Sequence, residues 1–367
     1  VRHKISAVVI LLLTELLIGC SKWDFSYSTY EIKESKIVEK AKEAFGEGDY
    51  RLTVNNAVDG KLQCTWDLNN PLGDGADILK TKKLFSYDFD KNEISLIKEI
   101  KGEVRVYDYI CIKNCLYYST VERTGYSYDE PYSWKVWKED RNTRDGKRVL
   151  LEEGKTFDDL KTPVFGRKGD SVYYLSETVE DKNQYTCSYT KIQNGKLEKV
   201  FSYTGKMKDY YLAEDTWYFT DNELSRTGDK YSFVLHQKGN STLFYYEREE
   251  LLQENFEKMI SFQYDLGDVV LLKFAGDDYI SLFDKKTKKI KETTDRQTYY
   301  CGAYVSKNAI MVYAKNSTDA TLLWSEKGEL KSMKIEKPKN TLVRFYFVEE
   351  NKILMGNGND YYEVSLR

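Results

Sequence analysis

Tyr126, Tyr128, Tyr132 and Trp134 crowd into the run ERTGYSYDEPYSW at 122–134, with Asp129 and Glu130 among them. Flat aromatic rings beside carboxylates are the residue types that stack on a sugar or hold an extended peptide, so these positions are candidate ligand contacts. A Tyr-rich surface loop would carry the same residues. Asp74 and Asp77, in another polar stretch, are candidates of the same kind. Two carboxylates for glycoside hydrolysis can be drawn from 59 acidic residues, but no spacing selects a pair.

Other chemistries lack their residues. There are two histidines, His3 and His236. His236 stands beside the turn Gln237-Lys238-Gly239-Asn240 and reads as a hairpin residue; Ser-His-Asp catalysis would rest on it alone, and a multi-His zinc site cannot be built. GEGD at 46–49 lacks the Lys-Ser/Thr of a phosphate loop. Asp88, Asp90, Asn92 and Glu99 have the spacing of calcium-loop ligands. Glu93, however, stands where that loop needs glycine, so a hairpin turn explains them better. No cofactor is called for. Beyond Cys20 the cysteines are Cys64, Cys111, Cys115, Cys187 and Cys301, an odd number that excludes complete pairing. Cys111 and Cys115 could bridge across a tight hairpin, or serve as small apolar residues of strands. The formal charge of −3 leaves no basic footprint for nucleic acid.

The elements that must position these residues begin at 1–20, VRHKISAVVILLLTELLIGC, where Arg2 and Lys4 form a basic head and Ile5 to Leu13 an apolar run. That is the plan of a secretory signal, too short for a span of ~20 residues. Leu17-Ile18-Gly19-Cys20 resembles the bacterial lipobox. The resemblance implies a diacylglyceryl group on the Cys20 thiol, cleavage after Gly19, and a chain held by its lipid to a membrane of the bacterial cell envelope, outside the cytoplasm. Three segments are expected: a lipoprotein signal peptide at 1–19, the lipidated Cys, tether and one short helix at 20–48, and a repeat domain at 49–367. In the second, Ser35 can cap a helix carrying Ile37, Ala41, Ala44 and Phe45, ended by Gly46.

From Tyr50 the helical period gives way to short strand-like runs, favoured by 31 Tyr, 16 Phe and only 4 Pro. An apolar-aromatic strand recurs at Leu62-Gln63-Cys64, Leu116-Tyr117-Tyr118, Val172-Tyr173-Tyr174, Trp217-Tyr218-Phe219, Val270-Leu271-Leu272, Ile310-Met311-Val312 and Ile353-Leu354-Met355, mostly followed by a hairpin such as KLFSYDFDKNEISLI. The spacing matches four-stranded blades, so the expected fold is an all-β propeller of about seven blades. The last unit, ending DYYEVSL, lacks a strand that Phe25 to Ile32 or Tyr50 to Val54 could supply, closing the ring.

Thr216 to Asp221 and Ser171 to Leu175 resemble the YWTD strand of low-density-lipoprotein-receptor propellers and of bacterial lipoproteins of mostly unassigned function. That resemblance implies the fold and no shared activity. The expectation is a lipid-anchored binding or scaffold module for a glycan, peptide or envelope protein. A carbohydrate-active enzyme on the same fold and a structural part of an envelope assembly complex are the alternatives.

Strand order further predicts two charged faces. Loops after each second strand should be acidic, with Asp74, Asp77, Asp129, Glu130, Glu177, Asp181, Asp221, Asp277 and Asp278. Turns between third and fourth strands should be basic, with Lys191, Lys196, Lys238, Lys285, Lys286, Lys288, Lys289 and Lys291.

Overall fold

Short antiparallel strands make up nearly all of the computed structural model, as its aromatic, proline-poor sequence dictates. It describes residues 28–48, 50–68, 81–101, 105–123, 130–142, 147–157, 162–168, 170–181, 184–193, 195–208, 212–213, 215–218, 232–237, 240–247, 250–277, 279–292, 299–300, 309–314, 317–326, 329–342, 344–349 and 351–367. Among these, no helix is long and apolar enough to cross a membrane.

β1 (Tyr30–Glu34) and α1 (Ile37–Phe45) precede the first blade, β2 (Tyr50–Val58), β3 (Lys61–Leu68), β4 (Thr81–Asp88) and β5 (Glu93–Lys101). The second blade is β6 (Arg105–Ile112), β7 (Cys115–Arg123), β8 (Tyr132–Asp140) and β9 (Arg148–Thr156). The third is β10 (Val164–Lys168), β11 (Ser171–Asp181), β12 (Gln184–Gln193), β13 (Lys196–Lys208) and the short β14 (Leu212–Ala213). The fourth is β15 (Asp215–Tyr218), β16 (Ser232–Gln237), β17 (Asn240–Glu247) and β18 (Glu250–Phe256), and the fifth is β19 (Ile260–Asp265), β20 (Val269–Phe274), β21 (Ser281–Asp284) and β22 (Lys289–Glu292). Then come β23 (Tyr299–Tyr300), β24 (Ala309–Ala314), β25 (Asp319–Glu326) and β26 (Glu329–Glu336), and last β27 (Arg344–Glu349), β28 (Lys352–Gly356) and β29 (Tyr361–Leu366).

The chain is an all-β propeller, and one sheet departs from the expectation of about seven four-stranded blades: six sheets have four strands. The third sheet has five because β13 runs past the end of β12, leaving Met207 and Lys208 to pair with Ala213 and Leu212. A second correction concerns Trp217. It lies in β15, the first strand of its blade, opposite Leu235 of β16, while the other recurring segments occupy second strands. Alternation is the same in first and second strands, and only the pairing of β16 with both β15 and β17 reveals the order.

The last blade is completed by β1, whose Ile32 stands opposite Val364. The first of the two candidate segments therefore supplies the closing strand, and Tyr50 to Val54 instead opens the first blade. α1 then lies across the junction. Ile37 and Ala41 are fully buried in one cluster with Leu52, Phe85 and Tyr361, and Phe45 meets Phe85 at 5.3 Å between ring centroids. The residue directly before the helix is Lys36 and not Ser35, but the Ser35 hydroxyl accepts from Ile37 N–H, the first of the helix, at 3.4 Å and donates to Glu363 at 3.0 Å. Gly46, at φ +97°, ends the helix as expected, in a conformation that L side chains rarely adopt.

Because every blade packs against a neighbour on both sides, polar strand residues are also buried, and they stitch the seams. At the seam of the first two blades, Gln63 pairs with both backbone groups of Cys111, its amide nitrogen donating to the carbonyl at 2.5 Å and its oxygen accepting from the N–H at 2.8 Å. Asn56 donates to Tyr109 O at 2.8 Å, and the Tyr109 hydroxyl donates to Cys64 O at 2.6 Å. Asp108 spans three blades: it accepts from Asn55 Nδ2 at 3.0 Å and from Phe165 N–H at 2.8 Å.

Candidate functional site

Strand order gives the ring two ends. Connections after second and fourth strands form a loop face; turns after first and third strands form a turn face. On the loop face, at the seam of the first two blades, Arg51, Asp67 and Lys82 are cross-strand neighbours in one row over β2, β3 and β4. Lys82 Nζ lies 3.3 Å from Asp67 Oδ1 and donates to Val106 O at 2.7 Å. Burial raises the Asp67 carboxyl above its ordinary value, against the pull of Lys82, and burial lowers the Lys82 ammonium. Exposed Arg51 and Arg105 stand near enough to act on both charges. This pair holds the two ends of the 69–80 connection, one residue from the end of β3 and one from the start of β4.

That connection carries Asp74 and Asp77, which lie outside the described residues, as do Cys20, Tyr126, Tyr128 and Asp129. Of the aromatic run, Glu130 is exposed and Tyr132 is half-buried at the start of β8. Trp134 differs from expectation. It is fully buried, its indole N–H donates to Glu177 O at 2.8 Å, and its ring lies so close over Gly154 that a Cβ there would sit 2.4 Å from Cζ2. Trp134 thus belongs to the seam of the second and third blades, a role that alternation within β8 cannot show.

The charge pattern is corrected at several positions. Glu177 is buried inside β11, accepting from the Thr156 hydroxyl at 3.0 Å, and Asp181 ends the same strand. Lys285 is buried, with Nζ 2.7 Å from Asp265 Oδ2. Lys238 follows a second strand and not a third, and Asp221 falls between first and second strands; both lie outside the described residues, as does Asp278. Asp277 remains on the loop face, 3.4 Å from Lys258 Nζ. Lys286, Lys288, Lys289 and Lys291 are exposed at the turn between β21 and β22, as expected.

Cys64, Cys111, Cys115 and Cys187 are free thiols. Cys111 stands opposite Leu116 and Cys115 opposite Ile112, so adjacent positions in the ladder send the two cysteines to opposite faces of the sheet, into different apolar clusters. Burial pushes the Cys111 thiol up. Asp88 to Asn92 form the hairpin turn: Asp88 Oδ1 accepts from the N–H groups of Asp90 and Lys91, each 3.2 Å, and Asn92 has φ +53°. His236 lies in β16 beside its hairpin.

Sequence reasoning missed Arg51, Asp67, Lys82 and Arg105, since isolated charges at strand ends carry no motif. The buried carboxylates share one feature. Asp67, Asp108, Glu177, Asp265 and Glu363 are the buried acids among the described residues; the last four hold donors, namely Asn55 with Phe165 N–H, Thr156, Lys285, and Ser35 with Lys33, whereas Asp67 faces Lys82 as an ion pair and its Oδ1 accepts no hydrogen bond.

No family model matches the chain, and no curated protein matches it. Solved structures do. An acylaminoacyl peptidase of Pyrococcus horikoshii aligns with 88% of this chain and 50% of its own, at 10% identity and a TM-score of 0.50, a likeness of fold alone. A streptogramin B lyase aligns with 92% of this chain and 98% of its own, at 10% identity and TM-score 0.44. The nidogen/laminin complex aligns over 81% of this chain and 97% of the matched chain, at 8% identity and TM-score 0.33.

Proposed function

We propose that the protein is a lipid-anchored, extracytoplasmic propeller that binds or scaffolds a ligand on its loop face. The observation that carries the binding reading is that four of the five buried carboxylates described, all but Asp67, already accept a hydrogen bond or short ion contact, most of them from a neighbouring strand or blade. A catalytic pair in a glycosidase must instead keep one acid and one base turned to the substrate. The enzyme reading retains one specific support, Asp67, whose carboxyl burial raises in the direction a general acid requires. The lipid anchor is supported by Leu17-Ile18-Gly19-Cys20.

Incubation with fluorophore-labelled glycan and peptide pools from a bacterial envelope separates the two. The binding reading expects a labelled species retained on the protein and recovered at unchanged mass. New products that disappear in Asp67→Asn, with the melting temperature held, would replace it with the enzyme reading.

A further inference from the structure

The strand that closes the ring also fixes where the amino-terminal chain leaves it. β1 is the fourth strand of its blade, so it runs from the turn face to the loop face, as β5 and β9 do. Ser28 and Thr29, just ahead of it, both donate their N–H groups to Arg367 O at 3.1 Å, at the turn-face end of β29. The chain toward Cys20 therefore departs from the turn face. Eight peptide links join Cys20 to Ser28, a reach of at most about 28 Å.

On that same face the hairpin between β21 and β22 presents Lys286, Lys288, Lys289 and Lys291, all exposed, around Ile290, whose side chain is 40% exposed. The hairpin is held from below. Asp284 Oδ1 accepts from Thr287 N–H at 2.9 Å, Lys288 N–H donates to Asp284 O at 2.8 Å, and Lys285 turns inward to Asp265. Lys288 Nζ lies 3.8 Å from Glu254 Oε2. Exposed lysines next to an exposed branched alkyl group on a held turn suit one environment well: the charges stay among anionic headgroups while the alkyl group enters the acyl boundary.

We infer that the β21–β22 hairpin is a docking surface for an anionic lipid bilayer, holding the ring with its turn face toward the membrane and its loop face away. The orientation rests on the lipid-anchor reading of Cys20; the docking surface rests on the hairpin. A soluble acidic polymer would satisfy the lysines but give Ile290 nothing to enter.

The test uses the full-length protein in vesicles of phosphatidylcholine, with and without phosphatidylglycerol, labelled with an amine-reactive reagent and read by mass spectrometry. Lys286, Lys288, Lys289 and Lys291 should lose labelling several-fold in the phosphatidylglycerol vesicles. Exposed Lys36 and Lys258, on the loop face, should be labelled as in detergent. Reversing the four lysines to Glu should weaken attachment to anionic vesicles roughly a hundredfold or more, and Ile290→Ser should weaken it without changing net charge. Equal labelling of the two faces, protection of Lys36 and Lys258 instead, or the same protection by soluble polyphosphate would overturn the docking surface. A Cys20 peptide of unmodified mass would overturn the anchor alone, and labelling of the unanchored chain with the same vesicles would then decide the docking surface by itself.

Discussion

Replacing Lys285 with alanine should destabilise the protein by about 3–5 kcal/mol, the usual cost of leaving one charge of a buried ion pair without its partner. The side chain of Asp265 is 2% exposed and that of Lys285 5%, at 2.7 Å, with Lys285 Nζ 5.6 Å from the Tyr245 ring centroid in the neighbouring blade. The second carboxylate oxygen of Asp265 accepts from Gly267 N–H at 2.8 Å, so the acid cannot turn to water without breaking its own turn. Lys286→Ala, one residue along and exposed, should change stability by less than about 0.5 kcal/mol. Denaturant unfolding of the two variants checks the contrast. The double variant Asp265→Asn with Lys285→Met should recover much of the loss, because no charge is then stranded. A Lys285→Ala protein as stable as Lys286→Ala would show that the pair is worth nothing to the fold.

Asp108→Ala should cost about 3–5 kcal/mol, since it leaves both Asn55 Nδ2 and the Phe165 N–H buried without an acceptor. Asp108 is 1% exposed and joins the first strands of three consecutive blades, so the loss falls on ring geometry and not on one sheet. Asn at this position supplies one acceptor and one donor where two donors wait, and should restore only part of the stability. Melting curves of the three proteins in the order wild type, Asp108→Asn, Asp108→Ala are expected, whereas a silent Asp108→Ala would remove the stitching role.

What the sequence revealed and what it hid follow from the same packing. Second-strand segments such as Val270-Leu271-Leu272 and Ile353-Leu354-Met355 are apolar on both faces because blades cover them on both sides, and that made the repeat readable. Closure by an amino-terminal strand was legible from the partner missing beside Glu363-Val364-Ser365, which β1 now provides. The two-sided burial also hid the seams. Asn55, Gln63 and Asp108 look like solvated strand residues because alternation reports which face a side chain takes, not what packs on it. Lys285 sits in a run of lysines, DKKTKK, and nothing local distinguishes the one that turns inward from those that stay in water. Trp134 read as a ligand platform because its neighbours are a Tyr-rich loop, while its place over Gly154 is set by residues twenty positions further along the chain.

The proposed lipid on Cys20 would turn this ring from a propeller of unspecified address into a surface-held module with one face presented. Growth of an expressing bacterium with a clickable fatty acid, followed by purification of the full-length protein, tests it most directly. The account predicts label on the wild-type chain, carried by the peptide that begins at Cys20, and no label on Cys20→Ala. Equal label on the two proteins, or label on neither, would contradict it.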